Sequence, residues 1–221
     1  MQKLNEKSVK DALKLLNFHQ QKKFGFFCID RVIHLYEDVD SRINISEMDK
    51  KLKDGDAYDT IKSIYEILKK KSSISLEELI DLRNKSDSLI LDTDNIYEST
   101  TENVIAKIVA ECLYTFLNFM ITSEIDYIFD CARLVIDIIN AQISDYYFLN
   151  VCKNEDKCNH FLETLFDNEY AIELQAIKFL SENNYNKLSS LLEETFISAN
   201  PVITIENLRK TSFSSIFCRV I

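Results

Sequence analysis

Two glycines and one proline are very few for 221 residues. Turn-rich β architectures draw heavily on both residues, so their scarcity excludes that class before any periodicity is read. With only Gly25 and Gly55, a glycine-rich phosphate-binding loop is excluded too. Histidine is also scarce, and His19, His34 and His160 form no His-Glu-x-x-His pair. The opening Met1-Gln2-Lys3-Leu4-Asn5-Glu6-Lys7 starts no apolar run of the secretory kind. No uninterrupted apolar stretch approaches a membrane span. The expectation is a cytoplasmic chain with reduced thiols at Cys28, Cys112, Cys131, Cys152, Cys158 and Cys218.

What is present favours helices. A hydrophobic content of 46% is ample for a core. The expected fold is all-α, an irregular bundle of roughly seven to nine helices forming one domain over residues 1–221. The net charge of −10 is uneven: residues 1–71 hold 15 Lys+Arg against 12 Asp+Glu, and residues 72–221 hold 11 against 24. So acidic a bulk argues against general nucleic-acid binding and suits a basic protein partner steered in by the field. The oligomeric state stays open.

Gln20 to Tyr36 is the stretch around which the rest is read. At about 100° per residue, Phe24, Phe27, Cys28 and Leu35 share one apolar stripe. Arg31 falls near its centre and Gln20 on the same side. A cation on a core face must be paired and hydrogen-bonded, or its head must snorkel to water. An internal ion pair is the preferred of these, with a ligand-binding arginine as the third alternative.

Helical periodicity and cap signals place helices from Ser8 to Leu16, from Asn17 to an end between Asp38 and Arg42, from about Ala57 to Lys71 and from Ser75 to about Ser88. Ser75-x-x-Glu78 reads as a capping box. Later helices open at Thr100 or Thr101, at Ser123, and at Asn154 or Asp156, the last reaching Asn183 with a break admitted at Asp167-Asn168. A further helix runs from Asn186 to Ser198, with Phe196 inward and Pro201 as its stop, followed by one turn from Ile205 to Lys210.

No nucleophile–base–orienter set can be assembled, and neither a cofactor nor a metal is implied. Cys152, Cys158 and His160 match no usual zinc spacing and read as loop residues. Asp30 and His34 read as a surface i,i+4 pair. Asp126, Asp130 and Asp137 collect on one side of their helix, away from a stripe of Ile125, Ile128, Phe129, Ala132, Ile136, Ile139 and Ile143. With Glu77, Glu78 and Asp81 they are the candidate partner surface.

Gln20, Phe24, Asp30, Arg31 and Tyr36 stand at the spacing Gln-x3-Phe-x5-acid-Arg-x4-Tyr, which resembles the opening helix of the YjaG-like family of all-helical bacterial proteins. His19 stands where that family has Trp, and Ile29-Asp30-Arg31 where it has Cys-Glu-Arg. Of the family's Tyr-Pro-Asn-Tyr, the run Ile33-His34-Leu35-Tyr36 keeps the final Tyr. Ile64-Tyr65-Glu66 resembles the family's Ile-Trp-Glu, and Glu169-Tyr170-Ala171-Ile172 its Glu-Trp-x-Ile. The tail at Ser214-Ser215-Ile216-Phe217-Cys218 resembles Ser-Asn-Ile-Gly-Ile without the glycine. The resemblance implies a helical protein related to candidate immunity proteins, which neutralise a toxin without catalysis. The alternatives are a structural or regulatory protein and an enzyme whose site the sequence does not display.

A buried Arg31 needs a carboxylate from an apolar face. If the helix through Asp167-Asn168 is continuous, Glu169 lies with Phe161, Leu165, Ile172 and Ala176. Arg31 and Glu169 are therefore expected to meet inside the bundle, with Gln20 close by as a hydrogen-bond partner.

Overall fold

The computed structural model describes residues 5–40, 56–71, 73–90, 101–150 and 155–210; for 38–40, 56, 144–150, 155–159 and 207–210 only the backbone is described. Among these residues every regular element is a helix: α1 Glu6–Leu13, α2 Phe18–Asp30, α3 Leu35–Asp40, α4 Asp56–Lys70, α5 Leu76–Asp87, α6 Thr101–Thr122, α7 Ile125–Asn150, α8 Glu155–Ser181, α9 Tyr185–Glu194 and α10 Pro201–Lys210. The all-α multi-helix bundle is thus observed. Nine of the helices have eight residues or more, and α3 has six. The stretches 43–55 and 92–99, the tail read at Ser214–Cys218, and Cys152 lie outside the described residues.

Local chemistry accounts for the helix starts. Asn5 caps α1, its side chain accepting from Ser8 N, so the cap lies three residues before the serine expected to supply it. Asn17 and Gln20 form a full capping box at α2, Gln20 N donating to Asn17 Oδ1 at 3.0 Å and Asn17 N to Gln20 Oε1 at 3.1 Å. At α5 half the expected box forms. Ser75 Oγ accepts from Glu78 N at 3.2 Å, while the Glu78 carboxylate turns to Lys71 instead. Pro201 opens α10 rather than merely ending the helix before it, because a missing N–H is harmless at a first helical position.

α6 is the centre of one half of the bundle. It packs against α2, α3, α4, α5 and, most extensively, α7, to which a two-residue connection joins it. By length and composition alone it could cross a membrane, although Glu102, Lys107 and Glu111 interrupt its apolar run, and 61% of its apolar window is buried inside the protein. α8 is the centre of the other half and touches α1, α2, α7, α9 and α10. One connected cluster of buried side chains runs from Val9 to Ile205. On α7 the expected stripe is buried at Ile128, Phe129, Ala132, Ile136, Ile139 and Ile143, with Ile125 at its edge.

α2 ends earlier than its periodicity indicated. After Asp30 the chain turns through Arg31–His34, where Val32 N reaches Ile29 O at 3.0 Å and Leu35 N reaches Val32 O at 2.9 Å. No glycine or proline marks this break. Tertiary bonds hold it, since the Arg31 carbonyl accepts from Ile197 N at 3.4 Å and the His34 ring donates from Nε2 to Ile197 O at 2.7 Å.

Three described cysteines, Cys28, Cys112 and Cys131, are free and completely buried. Cys112 and Cys131 face each other across the α6–α7 seam, each sulfur directed at the other residue's carbonyl, at 3.8 and 3.6 Å. Burial pushes the Cys28 thiol well up, with the neighbouring acid Glu173 adding to it. Burial does the same to Cys131, with Cys112 adding to it. Such thiols stay protonated and slow to react. Thiol titration is therefore expected to find these three unreactive in the native protein and all six cysteines free after denaturation without reductant. A denatured count near zero would overturn this.

Candidate functional site

Arg31 is the largest fully buried side chain among the described residues. It sits at the C-cap of α2, so its stem leaves the helix where the chain turns, and its head reaches α8 and α9. NH1 donates to Glu169 Oε1 and NH2 to Glu169 Oε2, the latter at 2.8 Å, a two-pronged pairing. Nε donates to the Thr195 carbonyl at 3.0 Å, at the C-cap of α9. The guanidinium carbon lies 5.5 Å from the centre of the Phe27 ring. Burial is the largest single influence and opposes the Arg31 cation, but the Glu169 charge and hydrogen bonds, with Cys28 and Glu173 adding to them, together outweigh it and hold Arg31 above its ordinary pKa.

α8 runs unbroken through Asp167-Asn168, which places Glu169 on the inner face with Leu165, Ile172 and Ala176, all buried. Arg31 and Glu169 thus meet as the sequence pattern led us to expect. Gln20 does not join them. It is buried, but its amide nitrogen donates to the Leu180 carbonyl at 2.9 Å and its oxygen serves the α2 capping box. It lies about three helical turns before Arg31, too far along α2 for its side chain to reach the pair. Gln20 ties the start of α2 to the end of α8, and Arg31 ties the end of α2 to the middle of α8.

Two members of this junction escaped sequence reasoning. Thr195 contributes a main-chain carbonyl, which no residue pattern announces. Glu173 is buried at 1% exposure one turn beyond Glu169. Its carboxyl is pushed well above the usual range, first by burial and then by the Glu169 charge, with Arg31 offsetting part of this. Its place on the same face as Glu169 was the available signal.

Asp30 and His34 do not pair. Asp30 takes Lys69 Nζ at 3.0 Å, and His34 stacks on Phe196 with ring centres 3.9 Å apart. Phe196 is 43% exposed and not inward as its spacing suggested, because α9 ends at Glu194 and frees the chain beyond it. His160 is exposed, and the side chain of Cys158 lies outside the described residues.

The six candidate surface acids separate into two places. Asp126, Asp130 and Asp137 are on α7 and Glu77, Glu78 and Asp81 on α5, and α6 packs against both helices. Three are engaged: Asp126 with Lys10 at 2.6 Å, Asp130 with Arg133 at 3.4 Å, and Glu78 with Lys71. Asp137 lies towards Glu111 of α6, where reduced hydration pushes both carboxyls up. Glu77 and Asp81 form no ion pair among the described residues and are exposed beside Leu76, itself 59% exposed. The outer face of α5 is therefore a mixed acidic and apolar strip with Ile80 half-buried along it.

Neither protein-family models, nor curated proteins, nor solved structures contain a match to this chain.

Proposed function

We propose that this chain is a cytoplasmic, non-catalytic protein-binding protein, related to the YjaG-like family and acting as an immunity protein that neutralises a basic toxin. The α5 strip carries the proposal: exposed Leu76 stands beside Glu77 and Asp81, two exposed carboxylates without an ion pair among the described residues. An apolar anchor flanked by unneutralised acids suits a basic, partly apolar surface, and the excess of acids in residues 72–221 would steer such a partner in. The internal charges at Arg31 and Glu169 are committed to each other and support an architectural role there. The three engaged acids, Glu78, Asp126 and Asp130, contribute to the field but less to direct contact.

The test uses a basic protein encoded beside this chain or co-purified with it. Its association rate with the full chain is measured from low salt to about 1 M, where the Debye length falls from about 10 Å to about 3 Å. The rate is expected to fall steeply, and Glu77→Lys with Asp81→Lys to slow association about tenfold at low salt. A rate indifferent to both salt and charge reversal would remove the α5 strip as the steering surface.

A further inference from the structure

Glu169 and Glu173 stand one turn apart on α8, at 0% and 1% exposure. They face one guanidinium. Arg31 commits both terminal nitrogens to Glu169 and its Nε to the Thr195 carbonyl. Glu173 Oε1 is buried with no hydrogen-bond partner among the described residues. The other ionisable groups around Glu173 do not supply a second cation. They are Tyr170 on α8, Cys28 on α2, and Glu6 on α1, whose charge also disfavours a further anion. Arg133 of α7 is 3.7 Å from Glu6 and is exposed, so it serves that surface. Tyr170 and Cys28 are neutral at physiological pH, the burial of Cys28 reinforcing this. A buried carboxylate without its own counter-ion is expensive, and a like charge beside it drives it to the protonated form.

We propose that Glu173 is a proton-linked device of the fold: the folded chain keeps a proton at Glu173 that the unfolded chain releases, so acidification tightens the junction of α2, α8 and α9 and alkalinisation loosens it. The sign follows from an acid whose folded-state pKa lies above its ordinary value of 4.5. Above that value the unfolded chain has lost the proton and the folded chain still holds it. Stability is therefore greatest below the unfolded pKa and declines as pH rises towards the folded one. Glu111 and Asp137 act in the same sense, and comparison with Glu173→Gln cancels their share.

The experiment is denaturant unfolding of the full chain and of Glu173→Gln between about pH 5.5 and about pH 7.5. One linked proton raises the unfolding constant of the native sequence, relative to the variant, about tenfold per pH unit. Parallel pH profiles would overturn the proposal. Should the variant fail to fold, calorimetry of the native chain in buffers of different ionisation enthalpy counts protons directly. About one released per unfolding event at neutral pH supports the proposal, and none released, or net uptake, rejects it.

Discussion

Arg31→Ala should cost about 3–5 kcal/mol of folding stability, measured by denaturant unfolding. The side chain is completely buried, and its removal leaves the Glu169 carboxylate in the core without a counter-ion. It also withdraws the donor to the Thr195 carbonyl, so the end of α9 loses a tie to α2. A typical domain is stable by about 5–15 kcal/mol, so the loss is a large part of the total. Arg31→Lys should recover little, since an ammonium cannot reproduce a planar fork that serves two carboxylate oxygens and a carbonyl. Glu169→Ala should cost less than Arg31→Ala. Glu173 stands one turn along the same face and can ionise beside the abandoned guanidinium. A change within about 0.5 kcal/mol for Arg31→Ala, as at ordinary surface positions, would mean the pair contributes nothing net.

Gly25→Ala should also destabilise, although alanine is the better helix former. Gly25 lies inside α2 where that helix crosses α6 and α7. A methyl group there would overlap the ring edge of Phe116 and press on Ile128 Cδ1 at 3.0 Å. The Phe116 ring has little room to yield: it is fully buried, with its centre 4.9 Å from that of Phe26 and 6.4 Å from that of Phe119. Overpacking of this kind costs about 1–3 kcal/mol, and the gain in helix propensity returns less than about 1 kcal/mol. Stability equal to or above that of the native chain would show that the three helices separate easily at this crossing. Adding Phe116→Leu should relieve part of the Gly25→Ala penalty if the ring is its cause.

The helices were legible because their apolar faces repeat cleanly. Glu169 was legible for the same reason, since Leu165, Ile172 and Ala176 define an inner face that the glutamate shares once α8 is continuous. The turn at Arg31–His34 was not legible. No breaker residue marks it, and the tertiary hydrogen bonds that hold it go to Ile197, more than 160 positions away. The role of Gln20 was misplaced for a related reason. Its address on the correct face was readable, but its partner is the Leu180 main-chain carbonyl. The surface acids were the least legible, because pairs such as Lys10 with Asp126 depend on how α1 lies against α7. Sequence can place a carboxylate on an outer face, but it cannot say which cation will come to rest beside it.

Arg31 and Glu169 form an internal lock that joins α2, α8 and the end of α9. A double-mutant cycle tests it most directly, with Arg31→Met, Glu169→Leu and the two combined, each compared with the native chain by denaturant unfolding. The expected result is two destabilised single variants, Arg31→Met the more so, and a double variant that regains most of the loss, because apolar side chains of similar size can replace a buried pair while a single charge left in the core is costly. Losses that simply add, with a coupling near zero, would contradict the lock.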